Sequence, residues 1–212
     1  VGAKVFNALE TWDDFIQHPI ESLTSSSGLT FLGGLIMATA AFYYFARKHK
    51  IPFDHLCDAT APAIMLAYGL GRLGCHFSGD GDWGIFNTAY ISNADGTLRA
   101  ATTAADKDFA QHMIGTTPWA HVVAPDWLPR WLVGMNYPHN VGHEGMPIHG
   151  CVGEYCNVLP VSVFPTSVWE AVTCVLLFAF MWAVRKRLTG TLQLFSLYLI
   201  LAGIERFLVE KV

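Results

Sequence analysis

From Leu29 to Ala46 the chain runs LTFLGGLIMATAAFYYFA without one charged residue. A bilayer-crossing helix needs about 20 mostly apolar residues, and a stretch of this kind has no comfortable place on a water-facing surface. Three more stretches of similar length follow. Leu56 to Phe77 is apolar but carries Asp58, Arg72 and His76. Val163 to Val184 carries Glu170, and Leu192 to Val209 carries Glu205 and Arg206 near its far end. The first stretch, free of charge, is the most secure span. Composition agrees: of 212 residues 52% are hydrophobic and 14% charged, against about 25% charged in an ordinary soluble domain. Disorder is excluded, because apolar content is too high and the net charge of -4 too low. With Lys+Arg 13 against Asp+Glu 17, no nucleic-acid partner is expected. The expected fold class is an all-α polytopic integral membrane protein, with four transmembrane helices visible and a long segment outside the bilayer. The 7 Trp and 7 Tyr suit interfacial belts, and suit an aromatic-rich enzyme equally well.

Charge sets the orientation. Arg47, Lys48, His49 and Lys50 follow the first span, and Arg185, Lys186 and Arg187 follow the third. Both clusters lie in short connections, which the positive-inside rule assigns to the cytoplasm, and the two assignments agree with the span count between them. The expected order is the end of a preceding helix and an outside loop (1–28), a span (29–46), a cytoplasmic loop (47–55) and a span (56–77). The outside segment (78–162), a span (163–184), a cytoplasmic loop (185–191) and a last span (192–210) complete it. VGAKVFNAL at the start reads as the last turns of an earlier helix, so the chain is expected to be a fragment truncated at both ends. No cleavable signal peptide, internal repeat or low-complexity segment is visible, and Ser25–Ser27 is a short loop.

The outside segment mixes signals. Asp80-Gly81-Asp82-Trp83-Gly84 is turn chemistry, and Tyr90 to Ala105 is polar and reads as loop. Trp119, Trp127 and Trp131 with Pro118, Pro125 and Pro129 suit either a segment lying on the membrane surface or a small folded domain with a Trp core. Cys151 and Cys156 are permitted a disulfide in an oxidising compartment, while Cys57 and Cys174 serve as small apolar residues within spans. His139, His143 and His149 beside these cysteines raise the question of zinc. Pro138, Gly142 and Gly145 argue against a helix there, and no standard zinc spacing appears. No metal and no cofactor are expected.

The charges inside the spans carry the functional argument. On one helix Arg72 and Asp58 stand about 21 Å apart along the axis, so each needs another partner. Arg72 can snorkel to the headgroups, but Gly69, Gly71 and Gly74 around it admit a helix or a ligand. Arg206 and Glu210 share a face at the outer end of the last span, with Glu205 turned about 100° away. Two guanidiniums at the same outer level on different helices suit bidentate binding of a phosphate diester, hence an anionic phospholipid. Two interfacial anchors are the plainer alternative. Glu170, about two turns into its span, is costly without a partner, and an arginine of another span is the obvious one.

GLGRLGCHFSGDGDWG (Gly69 to Gly84), FPTSVWEA (Phe164 to Ala171), YLILAGIERFLVE (Tyr198 to Glu210) and SGLTFLGGLI (Ser27 to Ile36) together resemble the prolipoprotein diacylglyceryl transferase family, in order and along essentially the whole chain. The form with GDGDWG and YPHN is similar to versions found in Bacteroidetes-like bacteria. The resemblance implies transfer of a diacylglyceryl group from phosphatidylglycerol to the lipobox cysteine thiol of preprolipoproteins. That reaction takes place in the bacterial inner membrane with the active site toward the periplasm. It implies that Arg72 and Arg206 match the family's two essential arginines, and that Glu170 and Glu210 orient them. It also implies that Asp58 matches the Asp before Ala-Pro, and that the diacyl tails lie beside Gly33, Gly34 and Gly69.

Four positions depart from the family pattern. Leu32 stands where the family often has a His proposed as general base. Cys75 replaces an Asn, Phe164 a His, and Ala202 a Tyr. His76 and His139 are the replacement candidates for the base, with proton loss to lipid phosphate or water as the alternative. An intramembrane protease lacks a Ser/His pair at matching depth on two spans. A lipid-binding or transport protein, or a paralogue with another acceptor, stays open and is separated by product formation.

Overall fold

The computed structural model describes residues 2–17, 19–20, 30–115, 121–124 and 127–210. The Ser25–Ser27 loop and Trp119 with Pro118 and Pro125 lie outside the described residues. The chain divides into two compact units, residues 1–59 and residues 60–212.

The first unit holds α1 (Gly2–Glu10), α2 (Trp12–Gln17), α3 (Phe31–Lys48) and the opening turns of α4 (Phe53–Ser78). Small residues let α1 and α3 meet backbone to backbone, as apolar helices require where no bulky side chain can intervene. Gly33 faces Phe6, and a Cβ there would lie 2.8 Å from the Gly2 carbonyl oxygen; Gly34 faces Ala3. The Thr30 hydroxyl donates to Glu10 Oε2 at 3.0 Å and ties the start of α3 to the end of α1. Leu35, Ile36, Tyr43, Tyr44 and Phe45 are exposed along α3.

The second unit holds the rest of α4 and a folded segment, followed by α7 (Thr166–Val184) and α8 (Gln193–Val209). α4, α7 and α8 share a core of Ala61, Met65, Cys174, Met181 and Leu194. Gly69 brings α4 onto α7: a Cβ there would lie 2.7 Å from Cys174 Cβ and 3.3 Å from the Ala171 carbonyl oxygen. Val172, Val175, Leu176 and Phe180 on α7, and Leu199, Ile200, Ile204 and Phe207 on α8, are exposed. Apolar faces of this extent suit lipid rather than water.

Among the described residues, one helix is long and apolar enough by itself to cross a membrane, and it is α7. The first stretch, expected to be the most secure span, does not meet that test by itself. α3 closes on Arg47 and Lys48 within its last turn, and Gly33, Gly34, Thr39, Tyr43 and Tyr44 dilute its hydropathy.

The all-α expectation is corrected, because the fold is mostly helical but residues 78–162 contain sheet. β1 (Phe86–Ser92) pairs antiparallel with β2 (Leu98–Ala100) and with β6 (Val161–Val163), and parallel with β3 (His121–Val122). α5 (Ala104–Ile114) covers this sheet through Ala110 and Ile114, which pack with Ile91, Ala101 and Val161. A second pair, β4 (Met146–Pro147) with β5 (Asn157–Val158), follows the short α6 (Arg130–Val133). The reading of Tyr90 to Ala105 as loop fails because strands of three to seven residues are too short for periodicity to show. The turn between β1 and β2 is nonetheless built from the polar residues noticed there. Asp95 Oδ1 accepts from Thr97 N at 2.9 Å, and Gly96 takes a φ of 83°.

The segment is folded, and of the tryptophans expected to form its core Trp127 and Trp131 lie at the surface, 79% and 62% exposed. Buried amides knit it instead. Asn87 Nδ2 donates to the Val133 carbonyl at 2.8 Å, and its Oδ1 accepts from Ala89 N at 3.1 Å. Asn140 Nδ2 reaches the Tyr137, Glu144 and Asn157 carbonyls at 3.0–3.2 Å. Cys151 and Cys156 form a disulfide. His139 and His143 lie in turns with φ of 63° and 54°, not on a helix.

α5 starts on a capping box. Thr103 Oγ1 accepts from Asp106 N, and Asp106 Oδ2 accepts from Thr103 N, both at 3.1 Å. Arg99 donates to Asp106 Oδ1 at 2.6 Å. The Arg99 guanidinium first, then the Thr103 bonds, hold the Asp106 carboxyl well below the usual carboxylate range. Its contribution to stability is therefore complete above the unfolded-state value of about 4 and fades as pH falls below that value. Thr103→Ala is expected to destabilise α5 by about 1 kcal/mol. Amide-exchange protection of Ala104–Ile114, corrected for intrinsic rates, should fall in that variant at neutral pH and in the parent below about pH 4. Equal protection across that range would refute the assignment.

Candidate active site

The C-terminal ends of α4 and α8 and the N-terminal end of α7 converge on one carboxylate. Glu170 on α7 is fully buried. Arg72 Nε on α4 donates to Glu170 Oε2, and Arg206 Nη1 on α8 lies 3.4 Å from Oε1. The Tyr68 hydroxyl lies 3.5 Å from the same Oε1. A buried carboxylate is tolerated only when paired and hydrogen-bonded, and two guanidiniums satisfy that need here. The sequence places Glu170 inward because Ala171 and Cys174, which face Gly69, share its side of α7.

The two arginines are held differently. Arg72 is 11% exposed at its side chain and also donates from Nη1 to Asp82. Asp82 reaches it because α4 stops at Ser78 and Gly79, with φ 61°, reverses the chain. A Cβ at Gly79 would also lie 2.9 Å from Asn140 Cβ, so two constraints require glycine. Arg206 is 52% exposed, and its second partner is Glu210, with Nε to Oε1 at 3.4 Å. The exposed pair with Glu210 is worth about 0–1 kcal/mol, so Arg206 can release Glu210 for an incoming anion at small cost. Arg72 is an anchored cation and Arg206 an available one.

Beside Arg72, His76 lies one turn further along α4. Its Nδ1 is 3.0 Å from the Tyr137 hydroxyl. Tyr137 is 5% exposed and stacks on Trp83, the neighbour of Asp82, with ring centroids 5.3 Å apart. Burial pushes the Tyr137 phenol up; the adjacent Ser167 hydroxyl and the Arg72 guanidinium partly offset this. His139, by contrast, is tied to the disulfide loop: its Nδ1 lies 2.8 Å from the Tyr155 carbonyl oxygen and 3.8 Å from Cys151 Sγ.

Arg72, Arg206, Glu170, Glu210 and His76 thus lie on the three helices of one bundle, with Glu170 joining the arginines. Gly69 serves the contact between α4 and α7 rather than a lipid tail, because Cys174 occupies the space beside it. Gly33 is likewise filled by Phe6, and Gly34 faces Ala3. Gly33, Gly34 and the half-buried Asp58 belong to the unit of residues 1–59. Gly71 and Gly74 face open space. An apolar cleft of about 300 Å³ is lined by Phe164, Thr166, Trp169, Leu208 and Val209.

Asp82, Tyr68, Tyr137, Ser167 and Glu205 escaped the sequence reading as site residues. Tyr68 carried a signal, standing one turn before Arg72 on the same face. Asp82 was hidden in turn chemistry, and Tyr137 reaches His76 only through the tertiary fold. Glu205 is 5% exposed, and its Oε1 has no hydrogen-bond partner among the described residues. Cys75, Asp80 and Asp82 offer ligand atoms within 4.8 Å of one another. The Asp82 carboxylate in that group is engaged by Arg72.

The family profile described as prolipoprotein diacylglyceryl transferase matches residues 1–212. Curated relatives named phosphatidylglycerol–prolipoprotein diacylglyceryl transferase are similar over parts of the chain. The one from Leptospira interrogans serovar copenhageni is 30% identical over 114 residues, 43% of this chain and 36% of the relative. That from Xanthomonas oryzae pv. oryzae PXO99A is 37% identical over 90 residues, 42% and 29% of the two chains. That from Stenotrophomonas maltophilia R551-3 is 32% identical over 127 residues, 53% and 42%. The chain thus spans less than half the length of these relatives. No solved structure matches.

Glu170→Ala breaks a buried pair and leaves Arg72 one of its two carboxylate partners, and is expected to destabilise the fold by about 3–5 kcal/mol. Chemical denaturation in detergent micelles measures this, with Glu210→Ala as the exposed comparison at about 0–1 kcal/mol. Equal effects of the two would remove Glu170 from its central place.

Proposed function

Because the chain belongs to the prolipoprotein diacylglyceryl transferase family, we propose that it moves the diacylglyceryl group of phosphatidylglycerol onto the lipobox cysteine of preprolipoproteins. The observation that carries this reading is the pair of guanidiniums, Arg72 and Arg206, drawn to one buried carboxylate where three helices meet. The helices at 31–48, 53–78, 166–184 and 193–209 are the four spans of this proposal. They lie in the bacterial inner membrane, with residues 78–162 and the site toward the periplasm.

The chemistry follows from charge. The lipobox thiol loses its proton, and the thiolate attacks the glycerol carbon bonded to the phosphate oxygen. An S–C bond forms as the C–O bond breaks, and the electron pair leaves on the oxygen of glycerol phosphate. Negative charge grows on the phosphate, so cations already in place lower the barrier without reorganising. Arg72, fixed by Glu170 and Asp82, supplies the standing charge. Arg206 exchanges its loose contacts for the phosphate. The positive field also favours thiolate over thiol. The diacyl tails take the apolar cleft of Phe164, Trp169 and Leu208 in place of the positions beside Gly33, Gly34 and Gly69. Of the two candidate bases, His76 is favoured over His139: it lies one turn from Arg72, whereas His139 is bound into the disulfide loop.

The test is transfer from labelled phosphatidylglycerol to a lipobox peptide by a full-length version in lipid nanodiscs. Arg72→Ala and Arg206→Ala should each lower the rate by about 10²–10³ while the protein stays folded and inserted. A folded protein that binds phosphatidylglycerol yet forms no thioether would instead be a lipid-binding paralogue.

A further inference from the structure

A guanidinium grips a phosphate best with two N–H groups on one edge, and it has two such edges: Nε with Nη2, and Nη1 with Nη2. On Arg72 each edge has one member taken. Nε donates to Glu170 Oε2, and Nη1 donates to Asp82 Oδ2. A bidentate phosphate on Arg72 therefore has to displace one of these two carboxylates.

Their surroundings decide which. Glu170 is fully buried and shared with Arg206, so moving it would disturb three helices at once. Asp82 is 49% exposed at its side chain and stands on a glycine turn. Gly79 and Gly81 take φ of 61° and 99°, and a Cβ at Gly81 would meet nothing within 4 Å. Among the described residues the Asp82 N–H has only a local contact, with Asp80 Oδ1 at 3.4 Å. The ends of the turn are fixed: Gly79 N–H donates to the Cys75 carbonyl and Gly84 N–H to that of Phe164, both at 2.9 Å. Residues 80–82 can thus swing while the turn stays seated. An Asp80 carboxylate oxygen lies within 4.8 Å of one of Asp82, and like charges this close loosen the hold of Asp82 on its partner.

We infer that Asp82 is a displaceable carboxylate: it holds the place of the lipid phosphate on Arg72, yields it to phosphatidylglycerol and returns to release glycerol phosphate. This rests on the transferase reading above. Asp82 acts through Arg72 and is a positioning residue, while Glu170 keeps the guanidinium in place throughout. The competition sorts anions by tether. Phosphatidylglycerol is held by its tails, so its phosphate stays at high local concentration beside Arg72 and wins the exchange. Breaking the C–O bond leaves glycerol phosphate without tails and with a charge of about −1.5 to −2 near neutral pH, which two arginines alone would retain. The carboxylate on the turn is itself tethered, and it drives the untethered product off. Soluble phosphates are refused for the same reason.

The experiment measures binding of glycerol phosphate to the full chain in phosphatidylcholine nanodiscs by calorimetry, and its inhibition of transfer in nanodiscs containing phosphatidylglycerol. A carboxylate that occupies the site lowers apparent affinity by the fraction of time the site is open, so Asp82→Asn should tighten Kd and Ki for glycerol phosphate about tenfold or more. KM for phosphatidylglycerol should fall by a smaller factor. Asp108→Asn removes the same charge from an exposed position on α5 and should leave both constants unchanged. Asp82→Ser makes the same comparison should the Asn variant not fold. Unchanged or weaker binding in a folded Asp82 variant overturns the inference, because an anion would miss a carboxylate that merely fixes Arg72. Equal tightening in Asp108→Asn also overturns it, by reducing the effect to net charge. Absence of transfer by the parent overturns the transferase reading, and Kd for glycerol phosphate then decides the role of Asp82 on its own.

Discussion

A carboxylate cut off from water has to be answered by positive charge. Glu170 sits fully buried where α4, α7 and α8 meet, and Arg72 on α4 and Arg206 on α8 both turn to it. Register between the three helices follows from that demand, because a shift of one residue on any of them would turn its charge about 100° away. The small-residue contact of Gly69 with Cys174 and Ala171 sets how closely α4 approaches α7. Charge fixes rotation, and the missing side chain fixes distance.

The same demand sorts the two arginines. Arg72 is hidden and doubly paired, and Arg206 is half exposed with long contacts on both sides. Asp82, 49% exposed, is the second carboxylate partner of Arg72, and Glu210, 62% exposed, is that of Arg206.

Sequence alone made the helical frame legible because long apolar stretches leave few alternatives. The helices at 31–48, 53–78, 166–184 and 193–209 lie within a few residues of the stretches read from hydropathy. Arg72, Glu170 and Arg206 were equally visible, since a charge among apolar residues cannot be ignored. What stayed hidden was whatever depends on distant residues meeting. β1 lies in a polar segment, and its partners β3 and β6 are remote in sequence. Asp82 looked like turn chemistry, and it is a turn residue; only the reversal at Gly79 aims it at Arg72. Gly69 was read as a site where a helix or a ligand comes close, and Cys174 and Ala171 of another helix lie there.

Asp82 and Trp83 are consecutive, yet one serves a guanidinium and the other a phenol. The two environments share one short turn of backbone, so a substitution that shifts the turn bears on both. Double-mutant cycles across the turn, pairing an Asp82 substitution with one at Tyr137, measure an interaction energy even though the two side chains serve different partners.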